Sequence, residues 1–67
     1  MNIGGGLNLY RVELSEEGSN PKTWLYRKWV SADSAGAACV KALDWAKTAH
    51  QSQTLQVYNV TFEGYVL

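Results

Sequence analysis

The sequence predicts an α+β domain of order β-β-α-β, with an antiparallel sheet and one helix packed on one face of it. Two segments in which apolar and polar residues alternate come before a single alanine-rich segment of helical spacing, and a third follows it. The first two are joined by residues typical of turns, which predicts a hairpin. A chain of 67 residues has the length of one domain, so we assign residues 1–67 to a single domain.

The N-terminal half contains a flexible lead-in and the hairpin. Residues 1–6 end in three consecutive glycines and predict a flexible, glycine-rich terminus. Residues 7–14 alternate as a strand should, and residues 15–23 collect Glu, Gly, Ser, Asn and Pro. Residues 24–32, rich in aromatic side chains, predict the second strand. The pair is therefore expected to form a hairpin with a long loop.

The helix is predicted from residue 35 to about residue 50. Three residues that suit a helix N-cap, Ser31, Asp33 and Ser34, come just before it. At helical spacing one arc collects small side chains: Ala35, Ala38, Cys39, Ala42, Ala46 and Ala49. A stripe of alanines allows the helix axis to lie close to the sheet.

The C-terminal segment predicts a third strand over residues 54–62. Its buried face stays open, because Leu55 and Val57 compete with residues of the opposite parity, Tyr58, Val60 and Phe62. Glu63 and Gly64 predict a turn. Residues 65–67 are then a short fourth strand or an extension of the third.

The second strand decides where a binding surface lies. Its two faces carry Trp24, Tyr26, Lys28, Val30 and Ala32 on one side and Leu25, Arg27, Trp29 and Ser31 on the other. Val30 and Ala32 lead directly into the helix, which favours burial of their face; the opposite assignment, with Trp29 in the core and Trp24 exposed, remains open. Tryptophan and arginine are enriched at interface hot spots. We therefore predict a partner-binding surface formed by Trp29, Arg27, Leu25 and Arg11.

The balance of charges favours a protein partner. Six basic residues balance six acidic ones, whereas proteins that bind nucleic acids are usually basic. The alternative is a small module that stacks RNA or single-stranded DNA on an aromatic and basic sheet face. A single cysteine and no apolar segment of membrane-spanning length predict a cytoplasmic protein without membrane contact. A monomer and a homodimer both remain open.

Catalysis is not expected. His50 is the one histidine and has no chemical partner at a useful spacing, and Cys39 falls within the alanine arc. Glu16 and Glu17 are neighbours in a predicted loop, where adjacent carboxylates point apart. One cysteine and one histidine do not complete a tetrahedral metal site. We therefore predict a non-enzyme without cofactor or metal.

The segment SADSAGAACVKAL, residues 31–43, follows an arginine-bearing strand. With that strand it resembles the strand-to-helix junction of small phage-encoded anti-CRISPR proteins directed at type I systems, over residues 24 to about 47. The resemblance implies a non-enzymatic inhibitor that docks on a subunit of a crRNA-guided surveillance complex in the cytoplasm of the host cell. It matches no functional motif, so it assigns a role to no residue.

Overall fold

The computed structural model describes residues 7–18, 20 and 22–66. It contains β1 (Leu7–Glu16), β2 (Tyr26–Ala32), α1 (Ala35–Ala49) and β3 (Leu55–Val66). The strands form one antiparallel sheet in the order β2-β1-β3, with α1 on one face. The predicted α+β class and the β-β-α-β order are confirmed. The glycine-rich segment 1–6, residues 19 and 21, and Leu67 lie outside the described residues.

The core is built around the central strand. Val12 and Leu14 are fully buried and Tyr10 nearly so, because β1 is paired on both sides and covered by α1 on this face. Alternation places all three on the side of the helix. Three alanines of α1 and one of β2 complete the buried apolar set: Ala38, Ala42, Ala46 and Ala32.

The helix begins and ends close to the predicted residues. Of the three N-cap candidates the structure selects Ser34, whose Oγ accepts a hydrogen bond from the Ala37 N–H at 3.1 Å. His50 is the C-cap, and its N–H donates to the Ala46 carbonyl. The alanine stripe is buried over its middle, whereas Ala35 and Ala49 are exposed and Cys39 is half-buried.

Removing the N-cap hydroxyl tests how much this helix end contributes. We expect Ser34→Ala to lower the free energy of unfolding by about 1 kcal/mol, because the Ala37 N–H loses its partner. Chemical denaturation followed by circular dichroism measures the change. Ser52→Ala is the matched control, since Ser52 lies exposed in the loop after the helix. Equal effects from both substitutions would contradict the assignment of the cap.

The helix runs diagonally across the sheet. It starts beside the end of β2 that pairs with Asn8, and β3 begins opposite Glu16, at the other end of β1. Its 15 residues span about 22 Å, so it covers the middle of the sheet and leaves the end of β3 open. On this uncovered corner Phe62 and Tyr65 are 50% and 76% exposed.

Two bulges in β3 resolve the parity that the sequence left open. Glu13 pairs with Asn59 and Leu14 with Val57, so Tyr58 is an extra residue that inverts the alternation. Apolar residues of both parities therefore face the helix: Leu55, Val57, Val60 and Phe62. A second shift lies at Glu63: Phe62 pairs with Tyr10 and Gly64 with Leu9, so the backbone of Glu63 is opposite no residue of β1 in the ladder. The predicted turn at Glu63-Gly64 is wrong. The chain forms a bulge there instead of reversing its direction, and β3 continues to Val66 as one strand.

Candidate functional site

The sheet face away from α1 carries most of the predicted site. On this face Arg11 lies opposite Trp29, and Glu13 lies opposite Arg27. The Trp29 side chain is half-exposed, so the alternative that buried it in the core is wrong. Val30 and Ala32 pack on the helix side, as predicted from the second strand.

Trp24 joins the same surface, contrary to its predicted face. The strand β2 begins only at Tyr26, so the alternation does not extend back to Trp24. The guanidinium carbon of Arg27 lies 4.2 Å from the Trp24 ring centroid and 5.7 Å from that of Trp29. The cation thus lies within cation–π distance of two indoles, and the negative potential of an aromatic face favours such a contact. We call Trp24, Arg27, Trp29 and Arg11 the open-face patch.

The structure places Leu25 in the loop before β2, whereas the sequence predicted it on the strand. It precedes β2, and its backbone N–H donates to the Leu14 carbonyl at 2.7 Å. Its side chain is half-exposed. It therefore adjoins the open-face patch from the loop, rather than through the alternation of a strand.

Glu13 holds Arg27 of the patch by hydrogen bonds and was not identified from the sequence. Its Oε2 accepts hydrogen bonds from Arg27 Nε at 3.1 Å and Nη2 at 3.0 Å. Its Oε1 accepts one from Asn59 Nδ2 at 3.2 Å. Arg11 Nη1 pairs with Glu63 at 3.2 Å, while its Nε lies 3.9 Å from Glu13. One carboxylate on β1 therefore joins side chains from both neighbouring strands.

The surroundings of Glu13 favour its charged form. Burial raises the pKa of Glu13, but the hydrogen bonds from Asn59 and Arg27 and the positive charges of Arg11 and Arg27 outweigh it. The pKa of Glu13 is consequently below its ordinary value. At neutral pH the four charged side chains Arg11, Arg27, Glu13 and Glu63 form a compensated cluster.

This cluster predicts a loss of stability in acid. A carboxyl with a lowered folded-state pKa stabilises the fold above its unfolded-state pKa, and this contribution disappears as the pH falls through the folded-state value. Glu13→Gln removes that titration. We therefore expect the Glu13→Gln variant to have a lower free energy of unfolding at neutral pH than the unsubstituted protein. The difference between the two free energies should become smaller below about pH 4.

Denaturation midpoints of both proteins at neutral and acidic pH measure the gap. The exposed Glu17→Gln removes the same charge outside the cluster and is the control, and we expect it to change the free energy of unfolding at neutral pH less than Glu13→Gln does. A gap of the same size at both pH values would contradict the role of Glu13.

His50 serves the packing of the helix end. Its ring stacks on Tyr26 with centroids 3.8 Å apart and meets the edge of Trp45 at 5.3 Å. The Tyr26 hydroxyl donates to Gln53 Oε1 at 2.6 Å, and Lys28 Nζ lies 5.0 Å from the Trp45 ring centroid. These contacts hold the C-terminus of α1 against β2.

A shallow groove separates the end of α1 from the start of β3. Its volume is about 310 Å³, and it is lined by Leu43, Ala46, Lys47, Gln53, Thr54 and Leu55. Neither His50, Cys39 nor Glu16 lines it. Within the described ranges no three His, Cys, Asp or Glu side chains are grouped to hold a metal ion.

Comparison with known proteins returns no match to a protein-family model, to a curated protein or to a solved structure. Over the part of the chain that the structure describes, no helix is both long enough and apolar enough to cross a membrane.

Proposed function

We propose that this domain is a non-catalytic module that binds another protein through the open-face patch. The observation that carries the proposal is the arrangement of Trp29, half-exposed on the open face, beside an Arg27 held by Glu13 and two indoles. An exposed tryptophan next to a fixed arginine is the composition of an interface hot spot. Because the arginine is already ordered, little side-chain entropy is lost when a partner binds.

The pairing of charges favours a protein over a nucleic acid. Arg27 is held by Glu13 at 3.0 Å and Arg11 by Glu63 at 3.2 Å. An arginine whose charge is already offset by a carboxylate neutralises a phosphate less effectively, and both carboxylates would repel the phosphate backbone. Affinity for nucleic acids comes largely from phosphate neutralisation. A neutral surface of aromatic rings and paired charges is better suited to a protein.

For the partner we propose a Cas subunit of a type I crRNA-guided surveillance complex, with the domain acting as an inhibitor in the host cytoplasm. The support is the resemblance of residues 24–47 to small phage anti-CRISPR proteins. Inhibition of this kind needs no active site, since a bound domain blocks access to the surface that it covers. The ordered patch is consistent with that mode of action.

The test is a binding measurement against a purified type I complex across a series of salt concentrations. We expect binding with a shallow dependence of the affinity on salt. A steep negative slope, or equal binding to isolated crRNA, would instead indicate phosphate contacts and the nucleic-acid alternative. Absence of binding to complexes of every type I subtype would contradict the proposed partner, and a pull-down from lysate would then search for another protein.

A further inference from the structure

We propose that the outer edge of β3 pairs with β3 of a second copy of this chain, forming a two-fold dimer with one continuous six-stranded sheet. This inference is independent of the proposed function. Both β2 and β3 are edge strands, because β1 lies between them. The unpaired backbone groups of an exposed edge are a template for another strand unless the edge is protected.

The two edges differ in protection. The strand β2 has 7 residues and carries the adjacent cations Arg27 and Lys28, and short length and charge both discourage pairing. The strand β3 has 12 residues and contains neither lysine, arginine nor proline. Its single charge, Glu63, is compensated by Arg11. Length and the absence of lysine, arginine and proline favour pairing at β3, and its two bulges restrict that pairing to the regular stretch between them.

Exposed aromatic side chains are concentrated on β3. Of the seven large hydrophobic side chains that are exposed in the described part of the chain, three belong to this strand: Tyr58, Phe62 and Tyr65. Phe62 contacts Tyr65 edge-to-face at 5.3 Å and Tyr10 at 5.7 Å. Tyr10, Phe62 and Tyr65 form a ridge on the corner that α1 leaves uncovered, whereas the Tyr58 hydroxyl donates to the Lys22 carbonyl. A strand added to β3 would bring a second set of side chains against it, which removes apolar surface from water.

The charge pattern favours a second copy as the occupant. A two-fold axis places a strand against itself, so the strand must be compatible with its own charges. Pairing of β2 with itself would bring Lys28 close to its own copy, beside an Arg27 that Glu13 compensates, whereas the one charge of β3 is the paired Glu63. The bulges at Tyr58 and Glu63 leave residues 59–62 as a regular stretch between them. We place the two-fold axis of the dimer at this stretch.

The test is the mass of the protein in solution, measured by light scattering or sedimentation from low to high micromolar concentration. The monomer mass is 7.4 kDa, and we expect the unsubstituted protein to reach twice that value. Phe62→Lys and Tyr65→Lys place a cation on the edge and are expected to remain monomeric. Tyr65 is so exposed that its substitution leaves the core untouched.

Val40→Lys is the matched control, since it adds the same charge to the exposed side of α1 and is expected to remain dimeric. Circular dichroism establishes that each variant is folded. An unsubstituted protein that stays monomeric over the whole range would overturn the proposal. So would a dimer that persists in both β3 variants, because its interface would then lie elsewhere.

Discussion

Replacing Leu14 with alanine is expected to lower the free energy of unfolding by about 2–5 kcal/mol, the range found for cavities left by buried leucines. Leu14 is fully buried on β1, paired with both neighbouring strands and covered by α1. The alanines of the helix are too short to fill the space that its side chain would leave. A domain of this size has a total stability of roughly 3–10 kcal/mol, so the substitution removes a large part of it.

Urea denaturation followed by tryptophan fluorescence and by circular dichroism measures this loss. Leu7→Ala is the matched control on the same strand, where the leucine is 42% exposed, and we expect it to cost less than about 1 kcal/mol. Comparable losses at the two positions would show that the core does not centre on Leu14.

Replacing Trp29 with alanine is expected to weaken partner binding by roughly 2 kcal/mol or more, about a thirtyfold rise in Kd, while the fold is retained. The indole is the largest exposed apolar group of the open-face patch and one of the two rings beside Arg27. The buried apolar side chains lie on the other face of the sheet. The substitution should therefore weaken binding without lowering the stability of the fold to a similar extent.

Binding of Trp29→Ala to the partner, together with its thermal unfolding, tests this separation. Val40→Ala, a substitution of another exposed apolar residue, is the control and should bind normally. A folded Trp29→Ala that binds as tightly as the unsubstituted protein would move the interface elsewhere, first to the connection between β1 and β2. Unfolding of the variant would contradict the placement of Trp29 outside the core.

The elements that depend on local spacing were predictable from the sequence. The alternation of Tyr10, Val12 and Leu14 identified the buried face of β1, and the spacing of the alanines identified the buried side of α1. Both periods are set by the backbone of the element itself. The same reasoning placed Trp29 correctly, because β2 is regular from Tyr26 onward.

Features that depend on pairing between distant segments could not be predicted. The inverted parity of β3 arises from bulges, which exist only once β3 has paired with β1. The role of Glu13 depends on Asn59, which is 46 positions away in the chain. Trp24 was assigned to the wrong face because β2 begins only at Tyr26, two residues after it. The loop, rather than strand propensity, sets this first residue of the strand. One signal in the sequence could have indicated the Glu13 cluster: an acidic residue, Glu13, on the same predicted open face as Arg27.

The strand order also governs when this molecule can finish folding. The strand that is synthesised first, β1, occupies the centre, and one of its two neighbours is synthesised last. The hairpin of β1 and β2 and the helix can form while the chain is still emerging, but Leu7 pairs with Val66. Contacts of such sequence separation slow folding. Until β3 is released from the ribosome, one edge of β1 stays unpaired beside Val12 and Leu14, and this interval is when the nascent chain is most prone to aggregate.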